Sequence, residues 1–187
     1  LNRDEIIKGY KNTYNNTVNE EEIDEIATKV GIGAVIYTYV KSGRERDIVF
    51  SWEEMLDFEG DTAPYLIYTY ARTRSILRKA LEQGITPADA NSDYLKLLTT
   101  DEEYALVRSL SDFPESVVKA AQSNEPFMIS RQISLCARNF NRFYNNSSIL
   151  GADSEELKMA RLALCEALCN TLKSGLNLLG ITEVERM

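Results

Sequence analysis

Two tyrosines, an arginine, a serine and a lysine recur at alternating three- and four-residue steps in one stretch of this 187-residue chain: Tyr65, Tyr68, Arg72, Ser75 and Lys79. In a helix those positions stack on one face. Leu66, Tyr70, Thr73, Leu77 and Leu81 fall on another, and only that second face is core-like. Phenol rings beside cations suit a surface on which unpaired bases stack and phosphates meet positive charge. The same spacing also describes the tyrosine-rich edge of a helical bundle, and spacing alone leaves both readings open.

Other chemistry is scarce. The chain has no histidine, which excludes Ser-His-Asp and Cys-His catalysis and imidazole metal ligation within it. Cys136, Cys165 and Cys169 sit in helical patterns with no CxxC pair and no histidine, so they read as reduced core thiols rather than a zinc site. Neither glycine-rich phosphate-binding signature occurs. No catalytic residue, metal ligand or cofactor site is therefore expected in this chain. The net charge of −8 runs against a nucleic-acid partner, but the excess is uneven. Residues 1–60 hold 7 Lys/Arg against 13 Asp/Glu, a net of −6, whereas residues 61–187 hold 14 against 16, a net of −2. From Pro126 to Ala152 there is no carboxylate, and Arg131, Arg138 and Arg142 share a helical face, either as a basic strip or as a solvated face pairing with acids on a neighbouring helix.

The elements that must position these residues are helical nearly throughout. Glu20 to Ser42 reads as one helix with an acidic first turn and Ile23, Ile26, Val30 and Tyr37 on its apolar side. Ile48-Val49-Phe50 is a short extended candidate, and Ser51 opens a short helix through Phe58. Asp61 or Thr62 caps the tyrosine-bearing helix, which Gly84 ends. Ile85 to Leu98 reads as a loop. Thr100 and Glu103 form a capping box, Pro114 and Pro126 open two further helices, and a last helix runs from Asp153 or Ser154 to a left-handed cap at Gly180. The helix opened by Pro126 turns Ile129, Ile133, Cys136/Ala137, Phe140 and Phe143 or Tyr144 inward. An all-α bundle with short connections follows. No apolar run approaches a membrane span, and the start of the chain is not a secretory signal.

Gly60-Asp61-Thr62-Ala63-Pro64-Tyr65-Leu66-Ile67-Tyr68 resembles the stretch that leads into the helical anticodon-binding domain of class I arginyl-tRNA synthetases. Val30-Gly31-Ile32-Gly33-Ala34-Val35 and Asp47-Ile48-Val49-Phe50 upstream are similar to that family, and so are Phe113-Pro114, Glu125-Pro126, Phe140-Asn141-x-Phe143-Tyr144 and Leu178-Leu179-Gly180-Ile181-x-x-x-Glu185-Arg186-Met187 downstream. The likeness covers most of the chain after about Glu20. Ile67 and Tyr70 stand where the family commonly has Gln and His, both off the Tyr65/Tyr68 face. Of the Asp-Ala-Leu-Arg string that gives the domain type its name, only the arginine stands, in Lys158-Met159-Ala160-Arg161.

The resemblance implies a division at residues 1–58, the tail of a catalytic half after its Lys-Met-Ser-Lys-type loop, and 59–187, the anticodon-binding bundle. It implies a parent enzyme that joins L-arginine to its tRNA with ATP and magnesium in the cytoplasm. This portion would grip the anticodon loop of arginine tRNA beside an upstream catalytic domain of the same polypeptide, as a monomer, without activating an amino acid itself. By motif position the RNA contacts fall to Tyr65, Tyr68, Tyr144 and Met187, with Ala71 where a small residue lets a base approach; Arg72 joins them from the helical face. The terminus is expected to fold back beside the tyrosine face, with Arg186 available to phosphate or to Asp61. Two other readings stand beside this one: a helical protein-interaction module, which does not predict tyrosines and arginine off the core face, and the corresponding domain of another class I synthetase such as the cysteine enzyme, against which the Gly-Asp-Thr-Ala-Pro-Tyr run argues.

Overall fold

Acidic first turns, hydroxyl caps and glycine stops punctuate the chain into short amphipathic segments, and each segment becomes a helix. The computed structural model describes residues 20–187, with α1 at Glu20–Val40, α2 at Trp52–Met55, α3 at Ala63–Glu82, a 3-10 turn at Asp93–Leu97, α4 at Asp101–Ser111, α5 at Phe113–Ser123, α6 at Phe127–Asn146 and α7 at Glu155–Leu178. The expected all-α bundle is the observed one.

The caps are those the sequence signals. Thr62 Oγ1 accepts from the Tyr65 amide at 3.2 Å at the start of α3, and Pro64 occupies the first turn. Ser154 caps α7, and Gly180, with φ of 75°, closes the turn after it in the left-handed region that favours glycine. Two expectations differ. The helix opened by Ser51 stops at Met55 rather than Phe58. Ile48–Phe50 has no strand to pair with among the described residues; Val49 is 85% exposed, and Phe50 sets its ring edge-on to Trp52 at 4.9 Å.

α3, α6 and α7 meet in the core through Leu66, Tyr70, Ile133, Phe140, Leu168 and Leu172, all buried, and α4 adds Leu106. α1 joins them through Val30 and Tyr37. Gly33 permits that approach: a Cβ there would lie 3.0 Å from Ile181 and 3.4 Å from Ile67. Buried apolar side chains stabilise such a bundle by roughly 1.5–3 kcal/mol each.

The segment from Ile85 to Leu98 is a loop as far as Ser92 and then forms the 3-10 turn at Asp93–Leu97; it is tied to α7 where the Ala88 amide donates to the Met159 carbonyl at 2.9 Å. Arg161, the surviving member of the family string, explains its own presence. Its Nε donates to Glu103 Oε1 at 2.8 Å, its Nη1 donates to the Ser148 carbonyl at 2.8 Å, and its guanidinium lies 6.0 Å from the Phe143 ring centroid. Glu103 is wholly buried and its other oxygen accepts from the amides of Thr99 and Thr100, so one arginine ties α7 to the capping box of α4 and to the turn after α6.

Candidate functional site

α3 and α6 lie side by side and run the same way. Their cross-links rise together along both chains: Ser134 Oγ donates to Asp61 Oδ1 at 2.6 Å, Asn141 Nδ2 donates to the Tyr65 hydroxyl at 2.7 Å, and Arg72 Nη1 donates to Asn141 Oδ1 at 3.0 Å. The seam between them carries the candidate site.

Arg72 is its centre. Besides the bond to Asn141, its Nη2 donates to the Tyr68 hydroxyl at 3.0 Å, and its guanidinium carbon sits 4.7 Å from the Tyr68 ring centroid and 5.2 Å from that of Tyr144. A planar cation between two rings satisfies both the ring quadrupoles and its own donors. Those partners are neutral, and among the described residues no carboxylate pairs with Arg72. Arg74, half a turn round the helix, is spent on Glu185 at 2.7 Å instead. Phe58 closes the near side, edge-on to Tyr68 at 6.5 Å, and is 42% exposed. Tyr144 is 40% exposed and leans on Phe140 at 6.0 Å, so of the two residues read as alternatives for the inner face of α6, Phe143 is buried and Tyr144 faces out.

Of the residues expected to meet RNA, Tyr65, Tyr68, Arg72 and Tyr144 thus come together. Ala71 and Met187 do not join them on the surface: Ala71 is 2% exposed and Met187 7%, both within the apolar core. The carboxy-terminal segment does fold back on α3, but Glu185 accepts from Tyr70 at 3.1 Å and from Arg74, on the face of α3 away from Tyr65 and Tyr68. Tyr70 and Arg74 offer that carboxylate two donors, whereas Asp61 is taken by Tyr37 at 2.8 Å and by Ser134; Arg186 is exposed. Burial, then the Asp61 carboxylate, push the Tyr37 phenol far above its ordinary range, so it remains a hydrogen-bond donor.

Asn141, whose local sequence assigns it no role, is the hinge of the seam's hydrogen bonds. It orients Tyr65 and Arg72 together and also donates to Thr69 at 3.3 Å. The available signal was an amide between two buried phenylalanines, Phe140 and Phe143, three residues before an exposed tyrosine.

Fold and seam together define a class of domain, a helical bundle that presents tyrosine rings around a guanidinium with no carboxylate partner among the described residues. Within it the chain belongs to the DALR anticodon binding domain family, whose model matches residues 66–187. Arginine–tRNA ligase of Clostridium kluyveri is 50% identical over 168 residues, 89% of this chain and 29% of that protein, and the Clostridium perfringens enzyme is 47% identical over 167 residues, 89% and 29%. The chain therefore spans about 29% of the length of these curated relatives. Among solved structures, Thermus thermophilus arginyl-tRNA synthetase superposes with a TM-score of 0.83 at 32% identity, over 99% of this chain and 31% of that one. The Plasmodium falciparum enzyme shares the fold, with a TM-score of 0.78 at 23% identity over 99% of this chain and 31% of that one.

Proposed function

We propose that this chain binds the anticodon loop of arginine tRNA, as the RNA-gripping part of an arginine–tRNA ligase whose remaining length joins L-arginine to the tRNA with ATP and magnesium, in the cytoplasm and as a monomer. The observation that carries the reading is the arginine held between Tyr68 and Tyr144 on the α3/α6 seam. Loop bases are unstacked and offer flat faces; each one stacked on a protein ring contributes about 1–3 kcal/mol. Arg72 and Asn141 fix the rings before RNA arrives, which lowers the entropic cost of ordering them on binding. The Arg72 charge, with no carboxylate on it among the described residues, can meet a phosphate or a base edge. Such a grip works through planes and hydrogen bonds, so it tolerates an acidic molecule. Ala71 and Met187 lie in the apolar core and offer the RNA little surface in this arrangement.

Filter binding of the chain to an arginine tRNA transcript, to the same transcript with its anticodon replaced, and to a non-cognate tRNA tests the proposal. Preference for the arginine transcript that is lost with its anticodon is the expected result. Equal affinity for all three would overturn it.

A further inference from the structure

The parallel course of α3 and α6 continues the seam beyond the tyrosines to a polar cleft of about 610 Å³ at the amino-terminal end of α6, lined by Lys41, Arg44, Arg46, Asp61, Glu125 and Arg131 among others. Three carboxylates share it with the cations: Glu125 pairs with Arg44 at 3.3 Å through one oxygen and keeps the other buried without a partner among the described residues, Asp61 accepts from Tyr37 and Ser134, and Glu45 is exposed, so four cations face three carboxylates. Among the cations, Lys41 Nζ donates to the Asp61 carbonyl at 3.0 Å rather than to a carboxylate, while Arg46 and Arg131 are exposed and join no ion pair among the described residues. Between cleft and tyrosines stands Arg138, exposed, with one donor on Ser134 Oγ at 2.7 Å and the rest of its fork outward. Arg142 completes the ridge, its field shared with Glu102 on α4. α6 itself carries no carboxylate. From Arg131 to Asn141 the helix advances about 15 Å, a few nucleotides of backbone.

We propose that this ridge is a phosphodiester track: the strand whose bases stack at Tyr68 and Tyr144 passes Arg138 and seats a phosphate in the cleft between Arg46 and Arg131. The proposal rests on the RNA-binding reading above and adds where the backbone runs from the stacked bases. Phosphate contacts position without reading sequence, and each one adds to the salt dependence of binding.

The test compares the 187-residue chain with Arg46→Gln, Arg131→Gln and the double variant, with Tyr144→Ala as the base-stacking variant and Lys119→Gln, on the exposed side of α5, as the charge control. Binding of the arginine tRNA transcript and of its anticodon-replaced form is measured over a range of salt. Each arginine variant is expected to reduce the slope of log K against log salt by about 0.7. It should weaken both transcripts by the same factor, with the circular dichroism spectrum unchanged because both side chains are exposed. Lys119→Gln should leave the slope as it is. An unchanged slope in the double variant while Tyr144→Ala still abolishes anticodon preference overturns the track and leaves the base-stacking reading standing. An equal effect of Lys119→Gln reduces the ridge to general charge and also overturns it, and absence of binding by the unaltered chain overturns both.

Discussion

At the scale of single residues the molecule separates neighbours of similar type into different jobs. Phe143 and Tyr144 are adjacent aromatics, one fully buried and one 40% exposed. Tyr144→Ala is expected to weaken binding of the arginine transcript by about 1–3 kcal/mol with little change in Tm, whereas Phe143→Ala should cost about 3–5 kcal/mol of stability. Thermal melts beside filter binding distinguish the two; a Tm loss in Tyr144→Ala with unchanged binding per folded molecule would return Tyr144 to the core. Arg72 and Arg161 divide in the same way. The charge of Arg161 is matched by buried Glu103, so Arg161→Ala strands a carboxylate and should destabilise the bundle by about 3–5 kcal/mol. Urea melts of the single variants and of the pair with Glu103→Gln give the coupling directly, and additive effects would show that the two residues act apart. The tyrosine face could be read at this scale because its periodicity is local. Asn141 and the Arg161–Glu103 pair could not, since their partners lie 58 to 76 residues away and no local pattern records them.

At the scale of elements, helix ends were read well wherever the stop or start is chemical and local: the Thr100–Glu103 box, the Ser154 cap and Gly180 all stand where their residue types predict. The turn at Asp93–Leu97 was less legible, because it is only five residues long and its local signals, the Ser92 cap and the Asp93–Lys96 pair, are also those of an ordinary loop. The carboxy-terminal segment is the element most exposed to pH. Burial raises the Glu183 carboxyl, but the Lys173 ammonium at 2.8 Å and a backbone bond outweigh it and hold the group below its ordinary 4.5. A depressed carboxylate contributes stability that is present above the ordinary value and lost as pH falls through the depressed one. Amide exchange around Val184 should therefore quicken, relative to the core of α7, as pH falls below about 4.5. Lys173→Met should remove that difference. Exchange that tracks α7 at every pH would show that the segment is held by Ile181 and Met187 alone.

At the scale of the whole molecule, the thiols report on cooperative unfolding. Cys136, Cys165 and Cys169 are all buried, and desolvation pushes Cys136 and Cys169 up to about 11 and Cys165 further. At neutral pH a thiol reagent should modify none of the three quickly in the folded chain and all three in urea, at a rate set by unfolding; one fast thiol in the native state would reveal a local opening. With no nucleotide-binding motif and no histidine in its sequence, the chain alone is expected to show no arginine-dependent exchange of pyrophosphate into ATP, and measurable exchange by a clean preparation would contradict that.

The parallel pairing of α3 with α6 also has a kinetic meaning. Two parallel neighbours cannot be joined by a tight turn, so the chain travels through the 3-10 segment, α4 and α5 before α6 can lie beside α3. Tyr65, Arg72 and their partner Asn141 are thus 69 to 76 residues apart in sequence, and loop-closure entropy opposes their meeting until most of the bundle is in place. Tyr68 and Arg72 can meet within α3 alone, but no short peptide of this chain can bring Asn141 and Tyr144 to them. Their docking belongs to a late stage of folding, and a stopped-flow signal from Tyr68 and Tyr144 would follow helix formation rather than accompany it.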